Sequence, residues 1–262
     1  MAKKKAKTIE QRINERPVLE KFAEKKRWCE LIDASELIAA IKDKKNPKEL
    51  LGDDAENPGC YKWWAKKDDV EILLSKILFD DEKHKNIFSE TDYSQIFENE
   101  ENLYCIYVGK ANNLYDRLSK KHAKNTETST LRRTICSLTC NQDDTLEEIN
   151  KSIDGWLNKF KVQYFPLFKC ERTMEKSGKN QVVYRLKGVE IKGEKKELSL
   201  LDLEYFFINK KFHILNVKEN DFADYTEEKL DEKTIDNIKK IVATLKKCKW
   251  SKKKIVEIKK KK

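Results

Sequence analysis

The stretch LYCIYVG at residues 103–109 constrains the fold of this chain more than any other. Six apolar or aromatic residues in succession read as a strand, Leu103–Val108. Gly109 closes it and lets the backbone turn tightly at its end. Residues 113–123 then read as a helix. Leu114 and Leu118 form its buried stripe, and Arg117 and Lys121 flank that stripe one turn apart. Upstream, KKNPKELLGDDAENPG is rich in turn residues, and CYKWWA after it reads as a short aromatic strand. Further strands are expected at 161–168 and 182–191. Helices are expected at 17–43, 68–79, 130–140, 146–160 and 197–209, with an amphipathic one at about 226–246. Residues 1–16 read as frayed, and 80–101 as an acidic loop. The fold class that follows is α+β, or mixed α/β, with a small central, mainly antiparallel sheet flanked by helices.

Composition narrows the function. The chain has 262 residues and a formal net charge of +10, from 56 Lys+Arg against 46 Asp+Glu. Aromatics at 10% argue against global disorder. No run of 18 apolar residues occurs, so no membrane partner is expected. The basic start has no apolar stretch behind it, unlike a secretory leader, and a cytoplasmic location follows. Seven cysteines without a CxxC pair read as buried thiols rather than a disulfide framework. The cationic excess is mostly lysine, which fits either nucleic acid or a solvated surface. The tail SKKKIVEIKKKK reads as a solvated end. The eight arginines are more informative, because an arginine among lysines points to a need for its planar fork.

Three features could carry chemistry. Glu204 sits in LLDLEYFFI among apolar neighbours, where a carboxylate needs a cation or a metal. Arg117, held beside a buried stripe, suits either a phosphate or an acid such as Asp116 or Glu204. Tyr61, Tyr104, Tyr107 and Tyr115 cluster near the turn at Gly109; aromatics on strands are usually core, but a phenol beside a cation can exchange a proton.

Taken in order, these residues resemble the GIY-YIG nuclease superfamily. GCY at 59–61 and YVG at 107–109 look like its two signature tripeptides. Arg117 lies eight residues after Gly109, as the family's arginine does. Glu204 looks like the family's metal-binding glutamate, and Asn209, Asn216 and Asn220 fit the asparagine-bearing segment behind it. YVGKANNLYDRL, including Lys110, is similar to the version in the bacterial excision-repair nuclease subunit. PGCYKWWA, His122 and STLRRTICSL resemble restriction-type members. The match covers about residues 57–220. About 45 residues separate the tripeptides, which are usually far closer, so 68–101 is expected to be an insertion.

The resemblance implies a Mg²⁺-dependent DNA endonuclease, with Mn²⁺ as a substitute and one ion per active site, held by Glu204. It implies Tyr107 as the general base, assisted by Tyr61 or His122, with Lys110 and Arg117 lowering its pKa and Arg117 holding the phosphate. Gly59, Gly109, Asn209 and Asn220 take structural roles. Asn216 either contacts DNA or braces the loop. Arg132, Arg133 and Lys121 are expected at backbone phosphates, with a solvated helix start as the plain reading of the arginine pair. The substrate is double-stranded DNA. The preferred reading is a type II restriction enzyme, with a cognate methyltransferase encoded nearby. A homing, mobile-element or repair nuclease stands beside it, as does an inactive nucleic-acid-binding module. The expected organisation is a helical extension at 1–50, the core at 51–222, and a C-terminal helix with basic tail at 223–262. The terminal parts read DNA, form a homodimer or higher homo-oligomer, or cap the core.

Overall fold

The computed structural model describes residues 9–24, 28–78, 93–141, 143–168, 170–177, 179–186, 190–191, 194–195, 198–216, 230–248 and 252–260. Five strands form an antiparallel sheet: β1 (Ile32–Asp33), β2 (Gly59–Lys66), β3 (Asn99–Glu100), β4 (Leu103–Ala111) and β5 (Lys161–Pro166). Their order is β1-β5-β2-β4-β3. The constraining run is thus central, and its strand continues past Gly109 to Ala111. A hairpin of β6 (Cys170–Ser177) and β7 (Lys179–Leu186) stands apart, as do the short pair β8 (Glu190–Ile191) and β9 (Glu194–Lys195).

Helices cover both faces, giving the expected α+β class. They are α1 (Ile9–Glu24), α2 (Ala34–Lys42), α3 (Lys48–Leu51), α4 (Lys67–Leu78), α5 (Tyr93–Ile96), α6 (Thr130–Thr139), α7 (Leu146–Leu157), α8 (Leu200–Ile208), α9 (Glu232–Cys248) and α10 (Lys252–Lys260). Tyr61, Trp63, Ile106 and Tyr107 face a core built with α2, α4, α6, α7, α9 and α10. Cys60, Trp64, Cys105 and Val108 face the other, built with α8 and Leu19 of α1.

The two cores meet at an irregularity in β4. Trp63 pairs with Tyr107 and Trp64 with Cys105, so Ile106 is an extra residue opposite the Trp63–Trp64 step. Before it, Leu103 and Cys105 face the α8 side; after it, Tyr107 and Ala111 face the opposite core. The bulge therefore reverses which odd-numbered residues point where.

β4 also has an open flank. β3 covers it only at Leu103 and Tyr104. Buried backbone groups beyond that need other partners. Leu215 N–H donates to Ile106 O at 2.8 Å. Asn216 finishes the edge: its Oδ1 accepts from Val108 N–H at 2.7 Å, and its Nδ2 donates to Val108 O at 2.8 Å. A single amide does there what a neighbouring strand would do.

Several expectations need correction. The first helix starts at Ile9 rather than after a frayed 1–16, and it runs through Pro17. The stretch expected as one helical pattern, 17–43, is broken by β1. The basic tail forms α10, because Ile255 and Ile258 are three apart and both reach the core. Of the presumed loop 80–101, residues 93–96 and 99–100 are helix and strand, and Ile96 and Phe97 are fully buried; residues 79–92 lie outside the described ones. Among the described residues no helix is long and apolar enough to cross a membrane.

Candidate active site

The two tripeptides form one cross-strand arrangement. Tyr61 lies directly opposite Gly109. A Cβ on Gly109 would stand 2.4 Å from Tyr61 Oη, so only glycine leaves room for that ring. A Cβ on Gly59 would stand 2.1 Å from Phe165 O, so the other glycine permits the close approach of β5. The rings of Tyr61 and Tyr107 then stack with centroids 6.2 Å apart, both buried.

The segment expected as an α-helix after Gly109 is a π-helix over its functional part, Asp116–His122. Asn113 Oδ1 accepts from Asp116 N–H at 2.8 Å and starts the turn. Ala123 N–H donates to Leu118 O, five residues back. This wider winding swings position five toward the side of position zero, which brings His122 around toward Arg117. Leu118 and His122 are buried, Arg117 is half-buried and Lys121 is exposed. Among the described residues the Arg117 guanidinium makes no hydrogen bond or ion pair, and Asp116 is taken by Lys120 at 2.6 Å.

A chain of polar groups runs from α6 to the phenols. The stacked phenols of Tyr61 and Tyr107 influence each other's acidity. Tyr61 Oη and His122 Nε2 are hydrogen-bonded at 2.8 Å. His122 Nδ1 and Ser129 Oγ are hydrogen-bonded at 2.7 Å. Ser129 is also the N-cap of α6 and accepts from Arg132 N–H. Burial, then the charges of Arg117, Arg132 and Lys121, hold His122 well below its usual pKa, so the imidazole is neutral.

Glu204 arrives from the other core. A capping box starts α8: Ser199 accepts from Asp202 N–H, and the Asp202 carboxylate accepts from Ser199 N–H. Asp202 is therefore a capping group. Glu204 Oε2 lies 3.5 Å from Lys110 Nζ, and its side chain is 15% exposed.

Tyr107 feels both sides. Its pKa is pushed up to about 12, first by burial and then by Glu204, while Arg117, Tyr61 and Arg133 pull it down. The expectation that Lys110 and Arg117 together lower it is thus corrected. Lys110 is engaged with Glu204, and desolvation outweighs Arg117.

The remaining positions divide. Arg132 is 1% exposed. It donates to Thr126 Oγ1, to the carbonyls of His122 and Ala123, to Asn150 Oδ1, and to Asp154 Oδ1 at 2.9 Å. That is an internal brace between the π-helix, α6 and α7, not a phosphate contact. Arg133 is half-buried; it donates to Glu127 O and Thr130 Oγ1, and its charge reaches Tyr107. Asn216, buried against Val108, has the bracing geometry rather than the DNA-facing one. Asn209 ends α8, with its Nδ2 donating to Tyr205 O at 2.9 Å. Asn220 lies outside the described residues. Ser129 reads in the sequence as a candidate N-cap alone; its hydrogen bond to His122 crosses a loop, and no spacing rule signals it.

A hard divalent cation fits this donor set. Mg²⁺ asks for one or two carboxylates and takes its other ligands from water and phosphate. Glu204 supplies that carboxylate, and the Lys110 ammonium at 3.5 Å marks it as already serving a cation.

The family comparison agrees with the geometry. The profile described as the GIY-YIG catalytic domain matches residues 59–240, more than half of the chain. No curated protein and no solved structure matches. Members of this family are nucleases, generally dependent on divalent metal. The matched span begins at Gly59 and takes in both tyrosines, Arg117, His122 and Glu204, and the chain belongs to the GIY-YIG nuclease family.

Proposed function

We propose that this nuclease is a Mg²⁺-dependent, type II restriction endonuclease acting on double-stranded DNA. The observation that carries the reading is the setting of Tyr107, whose phenol feels Glu204 from one side and Arg117 from the other. Hydrolysis of a phosphodiester needs a base for water, positive charge on the phosphoryl oxygens and help for the leaving oxygen.

Arg117 has a guanidinium open to a ligand, and it takes the scissile phosphate. Tyr107 is the base: its phenolate removes a proton from the attacking water as the new O–P bond forms. The neighbouring Tyr61 phenol favours that phenolate. His122 and Ser129 fix the orientation of Tyr61 from behind. Glu204 would hold a divalent ion, which would supply charge for the phosphoryl and leaving oxygens. Lys110 balances Glu204 otherwise. Lys121, which is exposed, takes a backbone phosphate in this reading. The restriction role rests on the likeness of PGCYKWWA and STLRRTICSL to restriction-type members.

Digestion of unmethylated plasmid DNA with Mg²⁺ tests the reading. Discrete fragments are expected. A smear, nicking alone or intact DNA overturns the restriction role, and intact DNA with every divalent ion overturns hydrolysis.

A further inference from the structure

We infer that Glu98, Cys105 and His213 bind one zinc-class cation on the face of β4 opposite Tyr107. A carboxylate oxygen of Glu98, Cys105 Sγ and a ring nitrogen of His213 all lie within 4.8 Å of one another. Three unlike donors converge there from separate parts of the chain. Glu98 precedes β3, Cys105 lies in β4, and His213 follows α8.

The imidazole is set for a metal. His213 Nδ1 meets Ile208 O at 3.2 Å, and a carbonyl only accepts, so Nδ1 carries the proton. Burial keeps the ring neutral. Its lone pair is therefore on Nε2, the arrangement that a backbone carbonyl imposes on metal-binding histidines. Glu98 Oε1 accepts from Lys62 Nζ, whereas Oε2 is buried and accepts no hydrogen bond. Cys105 Sγ makes only a long contact, 3.7 Å, to Tyr107 O.

Lys62 is held on Glu98 Oε1, and its charge also reaches Cys105 and His213. Its ammonium lies over the rings of Trp28, Phe207 and Trp64, at 4.2, 5.2 and 5.4 Å from their centroids. That cage holds it on Oε1 and leaves the second carboxylate oxygen to another cation. Thiolate, imidazole and carboxylate together select zinc over Mg²⁺, which takes oxygen alone. Zinc bonds of about 2.0–2.3 Å need the donors to close in by roughly an ångström. On binding, the Cys105 S–H bond breaks, the S–Zn bond forms and the proton leaves to solvent. Water completes the fourth position.

Such an ion fastens the end of the inserted segment, the central strand and the loop carrying Asn216. It is independent of the hydrolytic reading, because its donors are not those of the reaction.

The full-length protein is loaded with zinc sulfate or cobalt(II) chloride, desalted, and assayed for metal and for absorption. Wild type and Glu204→Ala are expected to retain a single equivalent of zinc. The cobalt form is expected to show an intense near-ultraviolet thiolate charge-transfer band. Cys105→Ser and Glu98→Gln, checked for folding by circular dichroism, should lose the retained zinc, and the first should lose the band. A Cys136→Ser/Cys140→Ser variant should keep both. Absence of retained metal in wild type overturns the site, as does a band that survives Cys105→Ser or vanishes with the Cys136 and Cys140 changes. If Cys105→Ser fails to fold, the wild-type cobalt spectrum decides: without the thiolate band the site is rejected.

Discussion

Tyr107 is held between opposite charges, and the balance decides when it can act as a base. Glu204 raises its pKa, while Arg117 and the neighbouring Tyr61 lower it. Removing Tyr61's hydroxyl therefore destabilises the phenolate. In Tyr61→Phe the rising limb of the pH–rate profile should move to higher pH; an unchanged limb would detach Tyr61 from the base. Tyr107→Phe should lose cleavage by at least a hundredfold, the usual scale of general-base catalysis, while DNA affinity stays near wild type. Arg117→Ala and Glu204→Ala should each abolish plasmid cleavage with circular dichroism unaltered. Full Mg²⁺-dependent nicking by either variant would remove that residue from the reaction. The two glycines act through space alone: Gly109→Ala would press a methyl group onto the Tyr61 phenol.

Among the elements, β4 depends most on borrowed partners. Asn216→Ala takes away both hydrogen bonds at Val108, leaving buried backbone groups unpaired at a cost of about 2–4 kcal/mol. Urea denaturation should show that loss, and Asn216→Asp, which keeps the acceptor but not the donor, should lie between. The strands around YVG were legible because buried aromatic runs announce themselves. So was α6, whose cap at Ser129 follows from the residue type. Other features depend on distant partners. Arg132 and Arg133 are neighbours in sequence, yet only Arg132 turns fully inward, because Asp154 and Asn150 of α7 wait for it. The π-helix hid behind an acceptable α-helical pattern, since Leu114 and Leu118 are buried in either winding. The tail looked solvated because its lysines outnumber the two isoleucines that anchor it.

Across the whole molecule, the buried neutral His122 couples stability to acidity. The unfolded chain binds a proton at His122 below about pH 6.5, and the folded chain does so only at much lower pH. Its contribution is therefore complete above that value and is lost as pH falls below it, by up to about 1.4 kcal/mol per pH unit. Thermal melts from pH 7 downward should show a shallower decline in His122→Gln than in wild type; parallel declines would place the acid sensitivity elsewhere. The net charge of +10 and the basic arms predict DNA affinity that falls steeply with added salt. A flat response would argue for a partner other than nucleic acid.

The extra residue at Ile106 also has a hereditary side. Losing that one codon would leave every amino acid of the reaction present and correctly spelled. Strand β4 would return to plain alternation with Tyr107 still opposite Trp63 and Cys105 still opposite Trp64, so both residues would keep the faces they now have. A one-triplet deletion there should therefore do less harm than the same loss at any other place in the strand, where every later side chain would change faces.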